Sequence, residues 1–192
     1  MITAIVRLHE TVFGMIERVL NGWFLGLLAR FAFAAVLLVY FLNSAMTKVG
    51  PGFLVADNAY YQIVPPIIEA AGYDVANVAF FPWKIIVFMG TYSEFVLPVL
   101  IVVGLFTRIA ALGMIVFVLV QSYVDVTIHQ IGAEATGAWF DRFPDAAVMD
   151  QRLLWVVPLI YLVVKGAGAL SLDRVAYGLV MNREGAHSPQ VA

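Results

Sequence analysis

Four long apolar stretches, each close to the length that crosses a bilayer, constrain this chain more than any other feature. They run over about 22–42, 83–105, 109–126 and 153–170. A helix rises about 1.5 Å per residue, so about 20 residues cross ~30 Å of hydrocarbon while satisfying their backbone amides internally. Composition agrees. Of 192 residues, 62% are hydrophobic and 12% charged, too few charges to coat a globule in water. The pattern predicts an all-α fold, a four-transmembrane-helix bundle forming one membrane domain over 22–182. The link Gly104-Leu105-Phe106-Thr107-Arg108 is short enough to make the second and third spans an antiparallel hairpin.

The flanks are read by the same rules. Over 1–21, Ile5, Leu8, Val12, Ile16 and Val19 recur at helical spacing, which predicts an amphipathic helix lying in the membrane interface. His9, Glu10, Glu17 and Arg18 interrupt it, unlike the core of a cleaved leader, so it is expected to be retained. The two outer loops are expected to carry short helices that lie over the mouth of the bundle as lids. One covers Asn58 to Gly72 with a break at Pro65-Pro66, and the other covers Ala133 to Phe140, ending before Pro144. Residues 183–192, rich in small and polar types, are expected to form a flexible tail.

Arg7, Arg18, Arg108, Arg174 and Arg183 fall on one side of four crossings, and Lys48, Lys84, Arg142 and Arg152 on the other with most of the acids. That bias places both termini in the cytoplasm. A net charge of −2 without a basic run argues against nucleic acid as a partner. The absence of cysteine excludes disulfides, thiolate metal sites and a dithiol relay within the chain. No nucleophile elbow, phosphate loop, zinc signature or haem-attachment motif is present. No intrinsic cofactor and no metal site are therefore expected, and whether the chain is itself an enzyme stays open.

Charges at membrane depth cost about 2.5–3.5 kcal/mol each on insertion scales unless paired or hydrated. Arg30 in the first span and Glu94 in the second come out at similar depth when rise is counted from the span ends, which predicts an ion pair. It could be a clasp between spans, or a site where Glu94 exchanges protons or meets a ligand. Lys165 has the length to snorkel to the surface, and Trp23, Trp83 and Trp155 read as interface anchors. At the outer mouth, Asn43, Ser44 and Lys48 end the first span. Gln121, Ser122, Asp125 and His129 end the third, and Asp150, Gln151 and Arg152 open the fourth. They are expected to converge on a polar chamber. Asp125 and His129, four apart, would share a helix face and could pass a proton or contribute to a metal site, or the whole group could simply cap helix ends.

The run Glu94-Phe95-Val96-Leu97-Pro98-Val99-Leu100 followed by Gly104-Leu105-Phe106-Thr107-Arg108-Ile109-Ala110-Ala111-Leu112 resembles the central signature of the DoxX family of small four-helix integral membrane proteins. Arg30 with Lys48-Val49-Gly50, the segment Gly166-Ala167-Gly168-Ala169-Leu170-Ser171-Leu172-Asp173, and the stretch from Asp141 to Trp155 are similar to that family as well. The resemblance covers most of the chain. It implies a bacterial inner-membrane subunit of a quinone-linked oxidoreductase system, non-catalytic or quinone-docking, with other membrane or membrane-associated oxidoreductase subunits as partners besides the lipid bilayer, or a homo-oligomer. Two other readings stand beside it: a transport module for a small solute or metal ion, and a purely structural subunit of a membrane complex.

Overall fold

The computed structural model describes residues 2–186. In chain order the helices are α1 (Ile2–Leu20), α2 (Phe24–Met46), α3 (Asp57–Ile63), α4 (Pro65–Ala70), α5 (Phe80–Val103), α6 (Thr107–Thr127), α7 (Ala133–Thr136), α8 (Ala147–Lys165) and α9 (Leu172–Ala186). Four of them, α2, α5, α6 and α8, are long and apolar enough to cross a membrane, which marks the chain as an integral membrane protein. An even number of crossings leaves α1 and α9 at one end of the bundle, the terminal face, and α3, α4 and α7 at the other, the loop face.

Several boundaries differ from the sequence expectation. α8 begins before residue 153 because Asp150 and Arg152 find partners inside the fold and need no water. It ends at Lys165, not 170, because Gly166 and Gly168 adopt positive φ (81° and 82°) and turn the chain. α9 reaches Ala186, so residues 183–186 of the expected tail are helical; residues 187–192 lie outside the described residues. Helix α7 stops at Thr136, leaving Trp139 and Phe140 in the turns that follow.

The core lies between the four spans. Phe33, Leu37 and Phe41 of α2 meet Ile101 of α5, Ala110, Ala111, Met114 and Val118 of α6, and Leu159 and Leu162 of α8. Trp155, expected at an interface, packs its ring beside Tyr40 and Phe41 instead. The buried residues of α2 recur every fourth position at Phe33, Leu37, Phe41 and Ala45. A regular helix would rotate such a stripe by about 40° per step. A π turn over Ala34–Leu38 takes up part of that drift and keeps the stripe inward up to Lys48.

At the terminal face, three distant segments close on one another. Gly26 of α2 sits so near the 166–170 turn that a Cβ there would stand 2.6 Å from the Ala167 carbonyl oxygen. Ala169 donates its amide to the Gly22 carbonyl at 2.9 Å. Asp173 accepts from the amides of Phe106 (2.7 Å) and Thr107 (3.0 Å), capping α6, and its own amide donates to the Gly104 carbonyl. A Gly26→Ala variant should therefore lose about 1–3 kcal/mol of stability in detergent. Gly14→Ala, in α1 with nothing within 4 Å of the added Cβ, should be neutral or stabilising by up to about 1 kcal/mol. Equal melting shifts for the two would remove the close approach at Gly26.

Candidate functional site

The most concentrated group of polar side chains within the bundle lies toward the loop face. It begins with how α2 ends. The chain leaves Met46, turns back through a single antiparallel bridge between Val49 and Val55, and returns the Ala56 amide to the Lys48 carbonyl at 2.9 Å. Asn58 and Gln62 of α3 then hold Thr47, through its carbonyl (2.8 Å) and its hydroxyl (3.1 Å). Lys48 is thereby folded inward, 4% exposed. Its ammonium donates to the Ser44 carbonyl at 3.1 Å, to Ser44 Oγ at 2.8 Å and to Glu94 Oε2 at 2.9 Å, which uses all three protons. The Lys48–Glu94 ion pair is buried on both sides.

The expected pairing of Arg30 with Glu94 is not what the structure holds. Arg30 donates instead to the Ile101 and Val102 carbonyls at the end of α5 and to the Leu170 carbonyl, at 2.5 to 3.2 Å. The reason is direction. Side chains on a helix tilt toward its N-terminus, and α2 and α5 run opposite ways, so Arg30 leans to the terminal face and Glu94 to the loop face. Depth counted along the backbone alone misses that divergence. Neither reading of an Arg30–Glu94 pair applies: Arg30 grips backbone carbonyls at the negative end of a helix.

Between α5, α6 and the α3 lid lies a cavity of about 440 Å³. Lys48, Glu94, Gln121, Asp125 and His129 line its polar part, with Ser44, Gln62 and Ser93 beside them. Ile86, Met89, Val116 and Val120 form apolar walls, and all four also lie exposed on the outside of the bundle. Two glycines keep the space open: a Cβ at Gly90 or Gly113 would stand 3.2 Å from Ile63 or Leu97. Pro98, one turn beyond Glu94, has no N–H to offer the Glu94 carbonyl.

Asp125 reaches the cavity with its back held by Arg152, whose guanidinium makes an ion pair with it and donates to Ser122 Oγ at 3.0 Å. His129 lies just past the end of α6, with Nε2 3.2 Å from the Gln62 carbonyl, tying that end to the lid. Gln121 donates to the Tyr40 hydroxyl at 2.9 Å, while its carbonyl oxygen is buried without a partner. Of the residues expected to form the chamber, five stand apart from the cavity lining. Ser122 is taken by Arg152, and Gln151 donates to the Asp145 carbonyl at 3.2 Å. Asn43 is exposed on the outside of α2. Asp150 caps its own helix by accepting from the Ala146 amide at 3.0 Å. Arg152 acts from behind Asp125. The expected lid over Ala133 to Phe140 contributes no lining residue, because Trp139 donates to the Met149 carbonyl and draws that stretch onto the start of α8. Glu94 is the chamber's missing member; its tilt toward the N-terminus of α5 was the available signal.

Among the described residues no three His, Asp or Glu side chains are placed to hold a metal ion. Lys165 is exposed at the terminal face. Between it and Glu94 the interior is filled by Phe33, Leu37, Met114, Leu159 and Leu162, none more than 2% exposed.

Fold and site together define a polytopic four-helix membrane protein with a lateral cavity, polar at its loop-face end. No family model, no curated protein and no solved structure matches the chain.

Proposed function

We propose that the chain is a quinone-docking, non-catalytic subunit of a bacterial inner-membrane oxidoreductase of the DoxX-like kind. The observation that carries this reading is the two-sided cavity, whose apolar walls open from the outside of the bundle and whose far end holds Lys48, Glu94, Gln121 and Asp125. Its volume of about 440 Å³ falls within the range of small-molecule sites. A lipid-borne head group bearing hydroxyls or carbonyls meets complementary chemistry there. Glu94, Asp125 and the unpartnered Gln121 oxygen accept hydrogen bonds, and the Lys48 ammonium holds the charge of Glu94 while a proton arrives or leaves. A quinone, if bound, would accept two electrons from a partner oxidoreductase subunit and two protons at its carbonyl oxygens, becoming the quinol. In this reading α1 lies in the interface with its exposed Ile5, Leu8, Val12 and Ile16 in lipid. The arginines of the terminal face favour a cytoplasmic side for both termini.

A transport function needs a polar path from Glu94 to Lys165, and the packed apolar layer between them favours docking over passage. A purely structural role leaves the cavity without a ligand. Photolabelling in nanodiscs with an azidoquinone separates these. Saturable labelling should fall on peptides containing Met89 and Val116 and be competed by a short-chain ubiquinone. Val116→Trp, filling the cavity wall, and Glu94→Gln should each weaken labelling about tenfold or more. Absence of saturable labelling, or labelling indifferent to both variants, would leave the structural role.

A further inference from the structure

A second concavity, of about 750 Å³, opens on the terminal face between the start of α2, the start of α6 and the segment that joins α8 to α9. Arg108, Lys165 and Arg174 line it, all three exposed. Among the described residues its one lining carboxylate, Asp173, is turned into the first amides of α6. The groove therefore presents three cations against a single, already engaged, negative charge. Gly166 leaves room for the Arg108 guanidinium, whose Nε would stand 3.4 Å from a Cβ at that position. Thr107, also in the lining, is fully buried, and its hydroxyl has no partner among the described residues. Phe106 and Ile109 add exposed apolar surface to the same wall, and Trp23 and Tyr177 stand where aromatic side chains meet lipid head groups.

We infer that this groove binds the phosphate of an anionic phospholipid, with Arg108, Lys165 and Arg174 on the head group and Phe106 and Ile109 along the first methylenes of an acyl chain. A basic pocket between transmembrane helices, at the level where they leave the hydrocarbon, is suited to such a head group. The apolar wall has no use for a free inorganic anion, which decides between the two sources of phosphate. The site is independent of the cavity on the loop face.

Native mass spectrometry of the full chain in detergent tests this with phosphatidylglycerol and phosphatidylcholine as the added lipids. One phosphatidylglycerol should bind at least about tenfold more tightly than phosphatidylcholine, and each cation replaced by Gln should weaken it about fivefold. Arg108→Gln, Lys165→Gln and Arg174→Gln together should weaken it about a hundredfold, with Lys84→Gln on the loop face as the unaffected control. If the triple variant fails to fold, the Lys165→Gln, Arg174→Gln pair of exposed positions should still show about a twentyfold loss. Equal affinity for the two lipids, or phosphatidylglycerol binding unchanged in the variants, overturns the assignment. Displacement of the lipid by millimolar inorganic phosphate overturns it in favour of a free-anion site. Azidoquinone labelling on the opposite face reads the other proposal separately.

Discussion

Replacing Lys48 with Met is expected to destabilise the folded bundle by about 3–5 kcal/mol, the cost of stranding a buried carboxylate. Lys48 gives all three of its protons to Ser44 and Glu94, and both partners of the pair are almost wholly covered. Removing the ammonium leaves Glu94 with no counter-charge within hydrogen-bond reach, since Arg30 is engaged elsewhere. The double variant Lys48→Met, Glu94→Gln should recover most of the loss, because a neutral amide in an apolar site costs far less than a lone charge. Denaturant titrations in detergent on the two single variants and the double variant give the coupling directly. Were Lys48→Met within about 1 kcal/mol of the parent, the pair would be no more than a surface contact.

The second large effect belongs to Arg30. Its guanidinium bonds the Ile101, Val102 and Leu170 carbonyls, and a buried carbonyl deprived of its donor costs about 1–3 kcal/mol. Arg30→Met should thus lose about 3–5 kcal/mol, and the loss should appear first as protease cleavage in the 166–171 turn. Arg30→Lys should rescue it only in part, because an ammonium cannot spread its donors across two segments as the planar fork does. Full rescue by Lys would mean that charge alone, without the fork geometry, holds the α5 end to the turn.

How far the sequence goes can be judged residue by residue. The four spans are legible because hydrocarbon length and backbone hydrogen bonding leave little choice of element. Gly104 was legible as a turn, but not that its φ of 73° is matched by a contact in which an added Cβ would stand 2.8 Å from Ser171 and 2.9 Å from Arg30. Lys48, Gln121, Asp125 and His129 were placed at the mouth by counting along helices, and they do line one cavity. Partner choice was not legible. Arg30 and Lys48 were both cations available to Glu94, and depth favoured the wrong one because the tilt of a side chain along its helix adds several ångströms that a backbone count ignores. Asn43 fell away for a different reason: its position on α2 lies off the stripe of Phe33, Leu37, Phe41 and Ala45, and the π turn that fixes that stripe has no sequence mark.

The cap on α6 has a consequence for how the chain comes to be assembled. The hairpin of α5 and α6 looks self-sufficient, two neighbours joined by a tight bend, yet the amides that open its second arm are satisfied by a carboxylate 67 residues away from Phe106. During synthesis that carboxylate emerges only after every crossing has been made. Until then the bend carries exposed donors at the lipid boundary, and the hairpin waits, inserted but unfinished, for the end of the chain to complete it.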